Sequence, residues 1–328
     1  MAYYPMEMRS GCGICGTFME AHLGFSPEDW LNDVFAIHGP RSPGPESPGP
    51  ESSGPGESEL LTWYDANVIP FGHFRDLSQL IGLSTTNSNV YYGFHKSCIS
   101  IAHQFIAPSN TTLKSFCDIW FRLTQHYAGL MGPYDHRLYY LPYKIHPLFS
   151  TWWFYDPLDI PRLTPHLLEN VKCRRVSPLS AETSRFRNNL SSLPQEVLDE
   201  ITDYFRCGTE PVGSQPTYLL PQHFWKQFIV KIPFLWDLEV RRFQQFTDWS
   251  VDSNMEWDWE LLFRQLMERP VAVSTNDNTQ EAKSFEFWDY RQTGLEAPPG
   301  LTNRRRIWQI FNDMDEGKTF VWRDGWLL

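Results

Sequence analysis

Residues 188–205 read NNLSSLPQEVLDEITDYF, and the spacing of their side chains sets the fold class for the chain around them. Leu193, Val197, Ile201, Tyr204 and Phe205 recur at the steps of one helical face, while Glu196, Asp199, Glu200 and Asp203 take the opposite face. Ser192 stands three residues before Gln195, the spacing of a capping box, and Pro194 falls in the first turn, where its missing N–H costs nothing. The pattern predicts an amphipathic helix with a buried apolar face.

Working outward, the same period recurs. Residues 98–106 and 113–127 carry apolar side chains at three- and four-residue steps, with Asn110-Thr111-Thr112 placed to cap the second. In LLPQHFWKQFIVKIPFLWDL (219–238) a Leu-Pro step again opens a helix, whose inner face is Phe224, Trp225, Phe228 and Ile229. WDWELLFRQLMERP (257–270) predicts a helix with Trp257, Leu261, Phe263 and Leu266 on its apolar face and Pro270 at its end. LTNRRRIWQIFNDM (301–314) predicts a last helix, capped near Thr302 or Asn303. Only the aromatic, Pro-interrupted HRLYYLPYKIHPLFSTWWFYDPLDIPRL (136–163) suits short strands or irregular packed chain. The expected class is therefore mainly α with minor irregular β.

Composition limits the function. A chain of 328 residues that is 41% apolar can build a sizeable core, in one large or two modest domains. A formal charge of −11 argues against a surface that neutralises phosphates or anionic lipid, so neither nucleic acid nor membrane is expected as a partner. The sequence has no apolar run of spanning length and no Lys/Arg-led apolar segment at its start, which leads to an expected cytoplasmic or nuclear location. The 16% aromatic content suits cores and protein-binding surfaces alike.

Changes in composition divide the chain along its length. A Cys-containing head (1–38) precedes GPRSPGPESPGPESSGPGES within a 39–59 linker, a repeat too poor in apolar residues to offset its chain entropy. An aromatic-rich α (+β) segment covers 60–175, a Ser/Arg/Asn-rich linker 176–190, the Leu-Pro helical module 189–235 and a C-terminal helical, Trp-rich region 236–328. The polar run 274–284 reads as loop.

Cys12-Gly13-Ile14-Cys15 and His95-Lys96-Ser97-Cys98 form a further constellation. Structural zinc takes four N or S ligands in a tetrahedron, and two-residue gaps let each pair bite one ion. Cys12, Cys15, His95 and Cys98 would complete such a site. Gly11, Gly13 and Gly16 give the knuckle its backbone freedom, and His95 stands at a helix start. Free thiols beside a helix-capping His95, or a redox Cys-x-x-Cys, are the other readings of the same residues.

LSSLPQEVLDEITDYF resembles the first helix of an F-box. The order of an N-terminal Cys-x-x-Cys, a Phe-His-x-x-Cys, this box, LPQHFW and a late NRRRIW is similar to that of F-box proteins of filamentous fungi. The resemblance implies that Leu193, Pro194, Val197, Leu198, Ile201 and Phe205 face a Skp-type adaptor or the box's own core. It also implies a non-enzymatic substrate receptor of a cullin-RING ubiquitin ligase, with the flanking regions holding an unknown protein target. An F-box continues into a second helix, whereas RCGTEPVGSQPTY (206–218) places Gly and Pro there with few apolar residues. The runner-up function is a zinc-stapled protein-binding scaffold with a degenerate box and no ubiquitin role.

Catalytic patterns are missing from the sequence: it has no G-x-S-x-G, no H-E-x-x-H and no glycine-rich phosphate loop, so no catalytic residue is assigned. Arg304-Arg305-Arg306 reads most simply as a solvated helix face. Asp248, Asp252, Glu256, Asp258 and Glu260 alternate with Trp249, Trp257 and Trp259 and read as a polar face beside an aromatic one.

Overall fold

The computed structural model describes residues 12, 14–15, 29–31, 34–40, 69–71, 89–107, 111–116, 118–119, 122, 152–176, 178–194, 196–198, 200–201, 215–246, 254–270, 288–316, 322–323 and 326–327. In chain order the elements begin with β1 (Val34–Pro40), β2 (Ile69–Phe71), β3 (Asn89–His95), α1 (Lys96–Ile106), α2 (Leu163–Glu169), β4 (Cys173–Arg175) and α3 (Ala181–Ser191). They continue with α4 (Gln222–Val230), α5 (Val240–Gln245), β5 (Met255–Trp257), α6 (Trp259–Met267), α7 (Pro299–Asp315), β6 (Trp322–Arg323) and β7 (Trp326–Leu327). The fold is mainly α with minor β, and among the described residues no helix is long and apolar enough to cross a membrane.

Two compact units divide the chain, one of Met1–Asp159, Val271–Phe287 and Pro299–Leu328, the other of Ile160–Pro270 and Trp288–Pro298. The 236–328 region is shared between them, with 236–270 and 288–298 in the second unit and 271–287 and 299–328 in the first.

In the first unit β1 lies between β2 and β3, antiparallel to both, with Val34 opposite Phe71 on one side and His95 on the other. Gly39 and Pro40, assigned to the linker on composition, instead end β1 opposite Val90 and Asn89. The rest of the Pro/Gly repeat lies outside the described residues. No loop separates β3 from α1, so His95 is both the last strand residue and the N-cap of the helix. Cys98, Ile101, Ala102 and Phe105 are buried at the spacing of one helical face, as the 98–106 pattern predicts. Of the 113–127 segment, residues 116, 118, 119 and 122 are helical. The carboxylate of Asp315 accepts from the Thr112 hydroxyl (2.6 Å) and the Leu113 N–H (3.0 Å) ahead of it.

The long helix α7 departs most from expectation. It opens at Pro299, where a missing N–H leaves no hydrogen bond unmade, so Thr302 and Asn303 are interior and buried rather than caps. Arg304, Arg305 and Arg306 are buried too, at 0, 3 and 0% exposure, which overturns the solvated-face reading of the triplet. A helix buried all round is the central element of its unit. Phe105 of α1 meets Trp308 and Phe311 with ring centroids 5.0 and 5.5 Å apart. On another side the Asn303 amide donates to the Trp153 and Tyr155 carbonyls, and the Arg304 guanidinium to those of Pro157 and Leu158. The chain at 153–158 runs from a single 3-10 turn (Trp152–Phe154) into irregular backbone whose carbonyls join no sheet ladder, and these side chains supply the donors.

In the second unit α4 buries Phe224, Trp225, Phe228 and Ile229, the four residues its spacing selects. The expected face of α6 is met at Phe263 and Leu266 and missed at Trp257 and Leu261. Asp258 caps α6 by accepting from the Leu261 N–H at 3.0 Å, so the helix starts after it and buries Trp259, Leu262, Phe263 and Leu266. Leu261 is only partly buried, and Trp257 lies in β5, paired with Cys173 of β4. The 176–190 linker is largely helix α3, nucleated where the Ser180 hydroxyl accepts from the Thr183 N–H at 3.1 Å.

Among the described residues, the acids near α6 are bound into the unit and form no solvent face. Glu260 is fully buried and accepts from the Thr217 and Tyr218 amides at 2.7 Å each and from Arg264 at 2.7 and 2.9 Å. Buried Asp258 accepts from the Tyr218 hydroxyl at 2.8 Å, and Glu256 pairs with Arg174 across the two-stranded sheet. Asp248, Asp252 and Trp249 lie outside the described residues. These bonds hold Tyr218 at φ +55°, a conformation that costs a non-glycine residue about 1–3 kcal/mol. Arg174 stacks on its ring at 3.7 Å. Burial and the Asp258 carboxylate push the Tyr218 phenol up to about 12.

Candidate functional site

Cys12, Cys15, His95 and Cys98 converge. Their three sulfurs and one ring nitrogen lie within 4.8 Å of one another, and all four residues are buried. The folding that brings them together is local at each end. Cys12 and Cys15 sit on one short knuckle, with Cys15 in a turn. His95 and Cys98 straddle the junction of β3 and α1, where the backbone passes from extended to helical and puts i and i+3 on one side. The His95 N–H donates to the Cys12 sulfur at 3.5 Å, tying the knuckle to the strand end.

His95 directs Nδ1 at the sulfurs, 3.3 Å from Cys15 Sγ and 4.0 Å from Cys98 Sγ. Its Nε2 is buried with no hydrogen-bond partner among the described residues. The ring stands edge-on to Trp30, centroids 4.8 Å apart, and the Trp30 indole N–H donates to the Phe154 carbonyl at 2.8 Å. A neutral imidazole that coordinates through Nδ1 carries its proton on Nε2, so the ring orientation suits a metal ligand.

The electrostatics fit the same use. Burial alone would raise the Cys15 thiol, but hydrogen bonds from Cys12 and Cys98 and the charge on His95 bring it well below the ordinary thiol range. Burial would lower His95, and attraction to Cys15 and Cys12 instead pushes it up to about 10. Burial, with hydrogen bonds to Cys12 and Cys15, drives Cys98 well above the usual value. Attraction between the Cys15 sulfur and the His95 ring is thus built into the cluster, and a divalent ion held by all four groups would replace it with four bonds.

Three cysteines and one histidine are a donor set that zinc takes in closed structural sites, with Zn–S near 2.3 Å and Zn–N near 2.0–2.1 Å. Contact distances of 3.3 and 4.0 Å are close to the edges of a tetrahedron with such bonds. The cluster can hold one structural metal ion, and zinc fits it. Cys12 and Cys15 are accordingly not isolated thiols near a chain end.

No protein-family model matches this chain. No curated protein and no solved structure matches it either.

The second group singled out by the sequence lies elsewhere, in the Ile160–Pro270 unit. Residues 196–198, 200 and 201 are helical, and the Val197 and Leu198 N–H groups both reach the Pro194 carbonyl, at 3.1 and 3.2 Å. Ser192 ends α3, its hydroxyl donating to the Asn189 carbonyl at 2.7 Å, and Gln195, its partner in the expected capping box, lies outside the described residues. Of the expected apolar face, Leu193 is 37% and Val197 38% exposed, Pro194 is exposed, and Leu198 and Ile201 are half-buried. Phe205 and Tyr204 lie outside the described residues.

Sequence reasoning missed Asn303 and Arg306. Arg306 Nη1 donates to the Cys15 carbonyl at 2.6 Å, and its Nη2 donates to Asn303 Oδ1 at 3.2 Å. Burial lowers its pKa, while the three cysteines draw it back toward the charged form. The only sequence signal was a basic triplet flanked by Ile307 and Trp308, inside a helix that contains apolar residues at core spacing.

Proposed function

We propose that the chain is a non-enzymatic protein-binding scaffold whose N-terminal unit is stapled by one structural zinc ion. The buried convergence of Cys12, Cys15, His95 and Cys98 carries this reading. The knuckle, the strand–helix junction and α7 meet at that cluster, so the ion would tie the knuckle to those elements. The binding role is supported by large apolar side chains left outside the core, including Phe186, Leu193, Val197 and Leu219. Metal analysis of the purified full chain should find about one zinc per molecule. Protein that is folded and metal-free would overturn the staple.

A second reading makes the Leu-Pro helix the adaptor-facing part of a degenerate F-box, and the chain a substrate receptor in a Skp and cullin-RING ubiquitin ligase. The exposure of Leu193 and Val197 favours it, since an adaptor needs the apolar face that the chain itself leaves uncovered. In a pull-down with a Skp-type adaptor, the native chain should be retained and the Leu193→Ala/Pro194→Ala double variant lost. Equal retention of both, or of neither, would sink this reading and leave the scaffold.

A further inference from the structure

Three thiolates and one neutral imidazole around a divalent ion leave the centre with one net negative charge, in a place from which water is excluded. A buried net charge is costly unless a fixed opposite charge lies nearby, and in a low-dielectric interior that compensation acts strongly. The long helix α7 delivers such a charge. Arg306 is fully buried, and its guanidinium bonds the backbone carbonyl of Cys15, one of the four ligands, at 2.6 Å. The same group is held from its other side by Asn303 Oδ1 at 3.2 Å and lies 5.8 Å from the centre of the Trp152 ring.

We infer that Arg306 is the counter-charge of the metal centre, a positioning residue that sets the affinity of the Cys12–Cys15–His95–Cys98 site for zinc by balancing its net negative charge. Arginine suits this role because its guanidinium is charged at neutral pH and its planar fork can serve two acceptors at once. Asn303 aims the fork, and its amide is in turn fixed by the Trp153 and Tyr155 carbonyls. Outer-shell groups of this kind hold ligands in place and tune the metal. The late NRRRIW and the early Cys-x-x-Cys thus form one device, joined across 291 residues.

The inference rests on the zinc reading, and one titration separates the two. Zinc affinity of the full chain is measured by competition with a chromophoric chelator for the native protein, Arg306→Lys and Arg306→Gln. Cobalt(II) spectra check that the tetrahedral ligand set is unchanged. Lysine keeps the charge and alters the hydrogen bonds, whereas glutamine keeps an N–H donor and loses the charge. Charge compensation predicts a loss of about 10- to 100-fold for Arg306→Gln and a value within about threefold of native for Arg306→Lys. Native-like affinity in Arg306→Gln, or equal weakening in both variants, overturns the inference while the native chain's bound zinc keeps the staple standing. A native chain that binds no zinc overturns both. Should Arg306→Gln fail to fold in excess zinc, Arg306→Lys decides by the same threefold limit; failure of both to fold counts against the inference, because retained charge has then rescued nothing.

Discussion

Replacing Cys98 by serine should abolish zinc binding and unfold the N-terminal unit. Cys98 lies on the buried face of α1 with Ile101 and Phe105, so its sulfur links the metal cluster to the helix that packs against α7. A serine hydroxyl is a poor zinc donor, and three remaining ligands leave an open position in a site that has no other use for one. Structural zinc contributes about 10–16 kcal/mol of apparent binding free energy in small zinc modules, comparable to the roughly 5–15 kcal/mol that holds a typical domain together. Zinc content should fall from about one per chain to near zero. Hydrogen exchange should lose protection across residues 89–107 and 299–316, the segments that flank the cluster. Cys173→Ser is the matched control: that thiol is exposed, in β4 of the other unit, and its loss should change neither quantity. A Cys98→Ser protein that keeps its zinc and native protection would refute the staple.

How much of this could be read beforehand depended on how local each signal was. The four metal ligands were legible because each pair is set by a two-residue gap, and the ligand count closes at four without any knowledge of the fold. The α4 face was legible for a similar reason, since a Leu-Pro start fixes the phase of the apolar residues that follow. In α6 Phe263 and Leu266 were legible and the start of the helix was not, because Asp258 in a run of aromatic residues is a cap only if the preceding chain is a strand, which depends on pairing with Cys173 far away. The α3 helix was hidden by a polar composition, although Ser180 and Thr183 carried a capping signal.

The charged residues show where local reading ends. Arg304 and Arg306 are central because carbonyls at 15, 157 and 158 need donors, and nothing in the NRRRIW stretch reveals where those carbonyls lie. The Leu-Pro helix shows another limit. Amphipathic spacing says that a face is apolar, and it does not say that the chain itself supplies the cover.

The second large effect is expected in the other unit, at Glu260. Its carboxylate accepts from the Thr217 N–H and hydroxyl, the Tyr218 N–H and two nitrogens of Arg264, and both side chains of the ion pair are buried, at 0 and 8%. Glu260→Ala removes the acceptor and leaves the guanidinium and two backbone N–H groups without it in a dry site. Breaking a buried pair from one side costs about 3–5 kcal/mol, far more than the pair's net worth, because the remaining charge is stranded. Tyr218 would also lose a bond that holds it at φ +55°, so the Thr217–Tyr218 segment should loosen with it. The expected result is a drop of about 10–20 °C in the melting temperature of this unit. Glu260→Gln should fall between native and alanine, since it restores one acceptor without the charge. Zinc content should stay at the native value in both variants, because every ligand belongs to the first unit. A loss under about 1 kcal/mol in chemical denaturation of Glu260→Ala would mean that water reaches Arg264 and that the network is not the buried anchor its geometry describes.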